Sequence, residues 1–204
     1  TSNSGNNEAV KDGQVGITDD VITNYNVNKQ RRIRRNDTAK LKAYIEEHKH
    51  CVHQIGPMDD LFFLCKTGRI SNFKAFFGSL IGINPMADFS HSGLAQVLGK
   101  FKGKQRAFDA VIEYMQGTIE NPEEQIIFVA HSNRETQAKV LAERIRETFN
   151  PKEIIINHVG MSCGASVGPG LCAAFYQGKE ISEDMVYEQA LMDEIIQKQK
   201  NGGK

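Results

Sequence analysis

The sequence predicts an α/β protein in which a mixed β-sheet is flanked by helices. Apolar segments of strand length alternate with longer segments whose apolar residues recur at helical spacing, a pattern typical of helices packed on a sheet. Residues 125–159 contain a complete strand–helix–strand unit. With 204 residues, of which 40% are hydrophobic and 25% charged, the chain is long enough to bury a sizeable core.

The helices are indicated by apolar residues at i, i+3, i+4 and i+7 and by capping residues in front of them. We expect helices over residues 37–48, 61–66, 72–81, 104–117, 132–149 and from Ser182 or Glu183 onward. Asp37 is the expected N-cap of the first, Asp59 or Asp60 that of the second, and Ser132 with Glu135 matches a capping box. The expected core stripe of the fifth helix is Val140, Leu141, Ile145 and Phe149.

Strands are expected where short apolar runs are bounded by Gly, Pro or polar turn residues. These runs are residues 52–55, 83–87, 94–100, 125–130, 153–159 and 171–176. Ser90, His91, Ser92 and Gly93 predict a turn between the second and third strands, in which His91 would be solvated.

The composition excludes several classes of partner. Basic and acidic residues are equal in number, 25 each, so charge gives no reason to expect a nucleic acid or a membrane surface. No apolar run approaches the length of a spanning helix. The four cysteines form no C-x-x-C pair, which favours a reduced, cytoplasmic protein.

The first 36 residues differ from the rest of the chain. They are polar, rich in Gly and Asn, and end in a basic run over residues 29–35 that no aromatic residue interrupts. We interpret that run as a solvated linker or helix face. Residues 1–36 are therefore treated as a poorly matched segment or remnant of a smaller N-terminal domain, and residues 37–200 as one α/β domain.

Arg69 is the first candidate for a ligand-binding residue. Its guanidinium stays charged and can bind a carboxylate or phosphate through two parallel hydrogen bonds. Gly68 permits a left-handed turn directly before it, so the side chain is expected to be oriented by the backbone. An ordinary surface or ion-paired arginine after a helix end is the alternative.

Two further features suit a ligand with an acidic head and an apolar tail. Residues 164–170 are interpreted as a tight turn between strands, where the backbone can approach a ligand and Ser166 can donate a hydrogen bond. Residues 61–64 and 73–81 are apolar enough to line a tunnel for an acyl chain. A plain turn and a plain core stripe are the alternatives.

No catalytic or metal constellation is predicted. His48, His50 and His53 cross from a helix into a strand, so their rings need not converge on a metal. His131 follows a strand at the position where α/β proteins place ligands, or it simply flanks the helix cap. Asp59 and Asp60 are better explained as caps than as a carboxylate pair.

Several motifs together resemble the DegV family of bacterial lipid-binding proteins. The segment MDDLFFLCKTGRIS, followed by FFGSLIGINPMADF, is similar to the family's Gly-Arg-Ile/Val-Ser signature. GKQRAFDAVIEYM, IIFVAHS and GASVGPGLCAAFY follow in the family's order. The resemblance covers roughly residues 40–197 and implies a two-domain α/β fold, of which the smaller N-terminal domain is largely missing here.

The resemblance also implies a function and a site. It implies a non-enzymatic carrier that holds one long-chain fatty acid, with no metal or other cofactor, and presents the carboxylate to a fatty acid kinase subunit. Carried over to this sequence, the ligand-binding residues are Arg69, Ser71, Ser166, Gly168 and Gly170. Ser166 stands where family members often have a histidine, which puts in doubt any step that needs an imidazole proton carrier.

Two other functions compete with this one. The first is an enzyme acting on phosphorylated small molecules, with Arg69 and the glycine turn as an anion site and His131 as acid or base. The second is a protein-interaction domain whose apolar stripe binds a partner helix, which predicts an exposed patch rather than a cavity.

Overall fold

A computed structural model describes residues 38–59 and 83–201. The predicted cap Asp37, the predicted helices over residues 61–66 and 72–81, and the candidate ligands Arg69 and Ser71 lie outside these residues. The helices are α1 (Thr38–His48), α2 (Lys104–Thr118), α3 (Glu135–Phe149), α4 (Met161–Val167) and α5 (Val186–Asn201). The strands are β1 (Val52–Pro57), β2 (Ile83–Phe89), β3 (Ala95–Lys102), β4 (Ile126–His131), β5 (Glu153–His158) and β6 (Cys172–Gln177).

The described strands form one mixed sheet in the order β3-β2-β1-β6-β4-β5. β4 and β5 are parallel and are joined through α3, whereas the other neighbouring strands are antiparallel. The predicted turn over residues 90–93 is present and joins β2 to β3. The mixed α/β fold predicted from the sequence is confirmed.

One face of the sheet is covered by α2, α3 and α5, which hold the main hydrophobic core. The strands reach this core with alternate side chains, as the pleat of a strand requires. The inner face of α2 buries Ala107, Phe108, Ala110, Val111, Tyr114 and Met115. The main core includes Ile55, Leu98, Val111, Tyr114, Ile127, Leu141 and Met192.

The other face of the sheet carries a second, smaller cluster. Its buried members are Met58, Ala87, Val97, Leu171 and Ala173. Among the described helices, the short α4 contributes Val167 to this cluster. Within the described residues, this face of the sheet therefore packs against α4.

Three details of the sequence interpretation were wrong. Residues 161–167 are helical, so the predicted turn over residues 164–170 is reduced to Gly168–Gly170 after α4, where Gly168 ends the helix with φ 73°. Val140 of α3 is 45% exposed, because Ala138 and Ala142 occupy the inner face instead. His91 is not solvated: it is half-buried, its Nε2 bonds the carbonyl oxygen of Ile181, and its ring stacks on His50.

Candidate functional site

The second face of the sheet contains a cavity of about 410 Å³. Its floor is made of small residues on neighbouring strands: Gly56 of β1, Ala87 of β2, Ala95 of β3 and Ala173 of β6. Helix α4 supplies one wall through Ser162, Cys163, Ser166 and Val167. The volume falls in the range of small-molecule sites in proteins, and most of the other lining side chains are apolar.

Gly56 allows β1 to lie close to β6 beneath the cavity. A Cβ atom added at this position would lie 2.2 Å from the carbonyl oxygen of Cys172 and 2.4 Å from the Cα of Ala173. Only glycine permits this approach of β1 to β6. Gly56 and Ala173 thus lie side by side in the lining of the cavity.

The predicted ligand residues that the structure describes are divided between the cavity wall and a turn beside it. Ser166 is half-buried and lines the cavity. Gly168 and Gly170 are not among the lining residues, and their backbone N–H groups donate to the carbonyl oxygens of Gly164 and Ser132. Their role in binding stays a prediction, as does that of Arg69 and Ser71.

Ser132 holds the Gly168–Gly170 turn in place. Its hydroxyl donates to the carbonyl oxygen of Gly168 at 2.6 Å and accepts the N–H of Leu171 at 3.0 Å. The predicted capping box is therefore wrong, because the hydroxyl is used for bonds to a distant segment. Helix α3 begins at Glu135 with no side-chain cap, and Glu135 pairs with Lys139 instead.

A buried ion pair lies at the edge of the cavity floor. Asp88 of β2 lines the cavity but is only 1% exposed, and its Oδ2 lies 2.7 Å from Nδ1 of His53. The other carboxylate oxygen accepts the backbone N–H groups of Gln54 and Phe89, each at 2.8 Å. Tyr114 adds a fourth hydrogen bond, from its hydroxyl to Oδ2 at 3.0 Å. The carboxylate is thus fully satisfied by the protein.

Two acceptors face the ring nitrogens of His53. Nδ1 faces the Asp88 carboxylate, and Nε2 lies 3.0 Å from the carbonyl oxygen of Lys179. A protonated imidazole can donate a hydrogen bond to each of them. Burial alone would lower the pKa of His53, but the hydrogen bond and charge of Asp88 outweigh it, so the pKa is raised above its ordinary value.

The aromatic residues around His53 complete this buried network. The Tyr176 ring stacks on the imidazole with 5.2 Å between ring centroids, and its hydroxyl lies 2.7 Å from the Thr118 hydroxyl. Burial is the first cause that raises the pKa of both Tyr114 and Tyr176. The network links the sheet to α2 through buried hydrogen bonds and ring contacts.

The three histidines considered as metal ligands do not meet. His53 is engaged by Asp88, His48 stacks on Tyr44, and His50 stacks on His91 with 3.8 Å between centroids. Within residues 38–59 and 83–201, no group of three or more His, Cys, Asp or Glu residues could hold a metal ion. The same part of the chain has no helix with the length and apolar character needed to cross a membrane.

His131 ends β4 and is buried away from the cavity lining. Its Nδ1 accepts the backbone N–H of Arg134 at 3.3 Å. Burial, and then the neighbouring His158, lower the pKa of His131 below its ordinary value. The imidazole nitrogen is thus an acceptor for the turn that leads into α3.

The cysteines of the site differ in exposure. Cys163 is exposed and lines the cavity from α4. Cys172 is buried on the helix-covered face of the sheet, where burial raises the pKa of its thiol to about 12. Among the cysteines that the structure describes, Cys163 is the one that lines the cavity.

Comparison with known proteins agrees with the motifs in the sequence. A family model described as an uncharacterised protein of the DegV family matches residues 33–179. The chain belongs to the DegV family. A DegV domain-containing protein of Clostridium perfringens is 34% identical over 139 residues, which are 68% of this chain and 48% of the relative.

Solved DegV structures share the fold. A DegV protein of Eubacterium eligens loaded with heptadecanoic acid has a TM-score of 0.61 at 17% identity and is matched over 69% of this chain and 50% of its own. The fatty acid kinase B3 protein of Streptococcus pneumoniae, loaded with linoleic acid, has a TM-score of 0.59 at 22% identity, over 68% and 49%. The chain thus spans about half the length of these relatives.

Sequence reasoning missed the residues that shape this DegV cavity. The sequence places Gly56 at the end of a strand and Ala87 and Ala173 within strands. It does not indicate that these three residues form the floor of a cavity. Each strand contributes one small residue to the floor, and these residues come together only once the strand order is known. Asp88 and Cys163 likewise carry no local signal.

Proposed function

We propose that this chain binds a long-chain fatty acid in the cavity above Gly56, Ala87 and Ala173 and presents its carboxylate to a partner kinase. The observation that carries the proposal is the cavity itself, whose floor is made of small residues and whose lining is mostly apolar. Solved relatives of the same fold are described as loaded with heptadecanoic or linoleic acid. Another is described as the fatty acid binding DegV family protein of Thermus thermophilus.

Burial of the tail supplies most of the affinity in this account. Each methylene removed from water contributes about 0.8 kcal/mol, so an acyl chain with about ten buried methylenes gains roughly 8 kcal/mol before the costs of association. Met58, Val167 and Leu171 provide apolar contact along the cavity. A neutral apolar ligand would gain the same energy, so the head group must supply the selectivity for an acid.

The head group is assigned to Arg69 and Ser166. A guanidinium can form two charge-assisted hydrogen bonds with a carboxylate, and a hydroxyl can add a third. Support for Ser166 is its place in the cavity wall, and support for Arg69 is the family signature in which it stands. Ser71, Gly168 and Gly170 complete the proposed binding set. A carboxylate at the end of α4 would remain within reach of a partner protein.

A carrier accounts for the described residues better than an enzyme does. His131, the proposed acid or base of the alternative enzyme, does not line the cavity. Asp88 and His53 are saturated by protein partners. The chemistry is therefore assigned to a partner subunit: a kinase related in role to the system named in the Streptococcus pneumoniae relative. We place the protein in the cytoplasm, where the kinase's ATP is available.

Filling the cavity is the direct test of the site. Ala95 is half-buried on the edge strand β3 and lines the cavity, so Ala95→Phe should lower fatty-acid affinity at least tenfold in a fluorescent displacement assay. Ala43 is exposed on α1, and Ala43→Phe is the matched control that should leave affinity unchanged. Equal affinity of both variants would reject this cavity as the site.

The head-group assignment has a test of its own. Arg69→Ala should weaken binding of a fatty acid but not of the corresponding fatty alcohol, because only the acid offers a negative charge. Arg146→Ala, which removes an exposed arginine paired with Glu143 on α3, is the matched control. Loss of acid and alcohol binding to the same degree would contradict a charge-specific role for Arg69.

A further inference from the structure

Two cavities lie next to each other on the second face of the sheet. The first is the proposed acyl-chain site. The second has a volume of about 370 Å³, and its floor includes Val52, Phe175 and Ile181. Three residues, Gln54, Phe89 and Gly93, belong to the lining of both cavities.

The strands fix the order of the two cavities. On β1, Gly56 lines only the first cavity, Gln54 lines both and Val52 lines only the second. These alternate residues share one face of the strand. On the neighbouring β6, Ala173 lines the first cavity and Phe175, which pairs with Gln54, lines the second. The cavities therefore lie end to end along the strands, and the shared residues form the partition.

Phe89 and Gln54 are the side chains of this partition, since Gly93 has none. The backbone of Phe89 is held by the bond from its N–H to Asp88 and by its pairing with Ala95 on β3. The Gln54 carboxamide makes no hydrogen bond with the described part of the chain. A methylene chain that passed it would cover a polar group with no partner, which is unfavourable.

Ser166, the proposed head-group residue, lies on α4 just before the turn that leads to the start of β6. Ser166 is followed by the turn that Ser132 ties to Leu171, just before β6 begins. The partition faces Phe175, near the other end of β6. A carboxylate at Ser166 therefore directs the end of the tail toward Phe89.

We propose that Phe89, together with Gln54, sets the length of acyl chain that this protein accepts, and that the second cavity takes the terminal methylenes of longer chains when Phe89 is reduced in size. This inference rests on the proposed function. Each buried methylene raises affinity about fourfold. Affinity should thus rise with chain length and stop rising once the tail reaches the partition.

The test measures the dissociation constants of a series of saturated acids, from dodecanoic to docosanoic acid, for the full chain and its variants. In the wild-type protein the affinity should level off within the series. Phe89→Ala should move that point to longer acids and improve the longest ones by at least about tenfold. Adding Val52→Phe to Phe89→Ala should fill the second cavity and return the levelling point to that of the wild type.

Phe89→Leu is a second variant in case Phe89→Ala does not fold. It keeps an apolar side chain of smaller bulk and should shift the levelling point in the same direction. An unchanged levelling point in every folded Phe89 variant would overturn this inference while leaving the proposed function intact. Absence of binding by the wild-type protein to any acid of the series would overturn both.

Discussion

Nδ1 of His53 and Oδ2 of Asp88 are 2.7 Å apart and join β1 to β2 where their strand pairing ends. In the ladder between these strands, Gly56 pairs with Ala87 and Pro57 pairs with Met86. Beyond them the Asp88 carboxylate, not a backbone carbonyl, accepts the N–H of Gln54. A side chain thus continues the connection between two strands that floor the cavity.

Loss of the Asp88 carboxylate should destabilise the protein strongly. Asp88→Ala removes four hydrogen bonds in a buried setting and should lower the free energy of unfolding by about 3–5 kcal/mol. Asp88→Asn keeps one oxygen for the backbone N–H groups of Gln54 and Phe89 and should cost about 1–3 kcal/mol. Urea denaturation measures both. Equal losses for the two variants would mean that the backbone bonds contribute little.

The His53–Asp88 pair should make stability depend on pH. The pKa of His53 is raised in the folded state above an unfolded value of about 6.5, so the folded state binds this proton more tightly. The contribution is complete below about pH 6 and is lost as pH rises through the folded pKa. The difference in unfolding free energy between wild type and His53→Gln should therefore shrink from about pH 5.5 to pH 9. A difference that grows over this range would show that folding lowers the pKa of His53 instead of raising it.

A methyl group at Gly56 should not be accommodated. Gly56→Ala would place Cβ within 2.4 Å of backbone atoms of β6 and should cost about 3 kcal/mol by forcing β1 and β6 apart. Gly160 is exposed, has φ −57° and has nothing within 4 Å of an added Cβ, so Gly160→Ala is the matched control. Thermal unfolding compares the two. A tolerated Gly56→Ala would mean that the strand contact is looser than described.

Ser132 should matter for the site as well as for stability. Ser132→Ala removes the hydroxyl that bonds Gly168 and Leu171 and should cost about 1–2 kcal/mol. Because the turn carries the end of α4, fatty-acid affinity should fall too, by several-fold. Ser92→Ala, in the exposed β2–β3 turn, is the control for the loss of a serine hydroxyl. Stability loss without any change in affinity would separate the turn from ligand binding.

The exposed thiol of Cys163 in the cavity wall can report whether a bound ligand covers it. Cys163 should react readily with a maleimide, and a saturating fatty acid should slow that reaction because the acyl chain covers the cavity side of α4. Cys172, with its pKa raised to about 12, should stay unreactive with or without ligand. Peptide mapping by mass spectrometry resolves the two sites. Equal rates at Cys163 in both states would place the ligand elsewhere.

The sheet and its main helices were predictable because local periodicity agreed with the final packing. The stripe of α2 and the short apolar runs of β4 and β6 can be recognised within each segment. Helix α4 was missed, because Gly164 and two serines are weak helix formers and tertiary contacts of Val167 overrule them.

The site was less predictable than the fold. His53 and Asp88 are 35 residues apart, and no local signal connects them before β1 and β2 are placed side by side. The same holds for Ser132, whose local sequence matched a capping box while its hydroxyl was needed 36 residues away. Residues that act across the sheet can be assigned only after strand order is known.

Native mass spectrometry of the chain, purified without denaturation from a bacterial host, is the most direct test for a bound fatty acid. We expect a species heavier than the bare polypeptide by one long-chain fatty acid, and its absence from Ala95→Phe. A spectrum that shows only the bare mass, with no adduct even after a fatty acid is added in excess, would contradict this expectation.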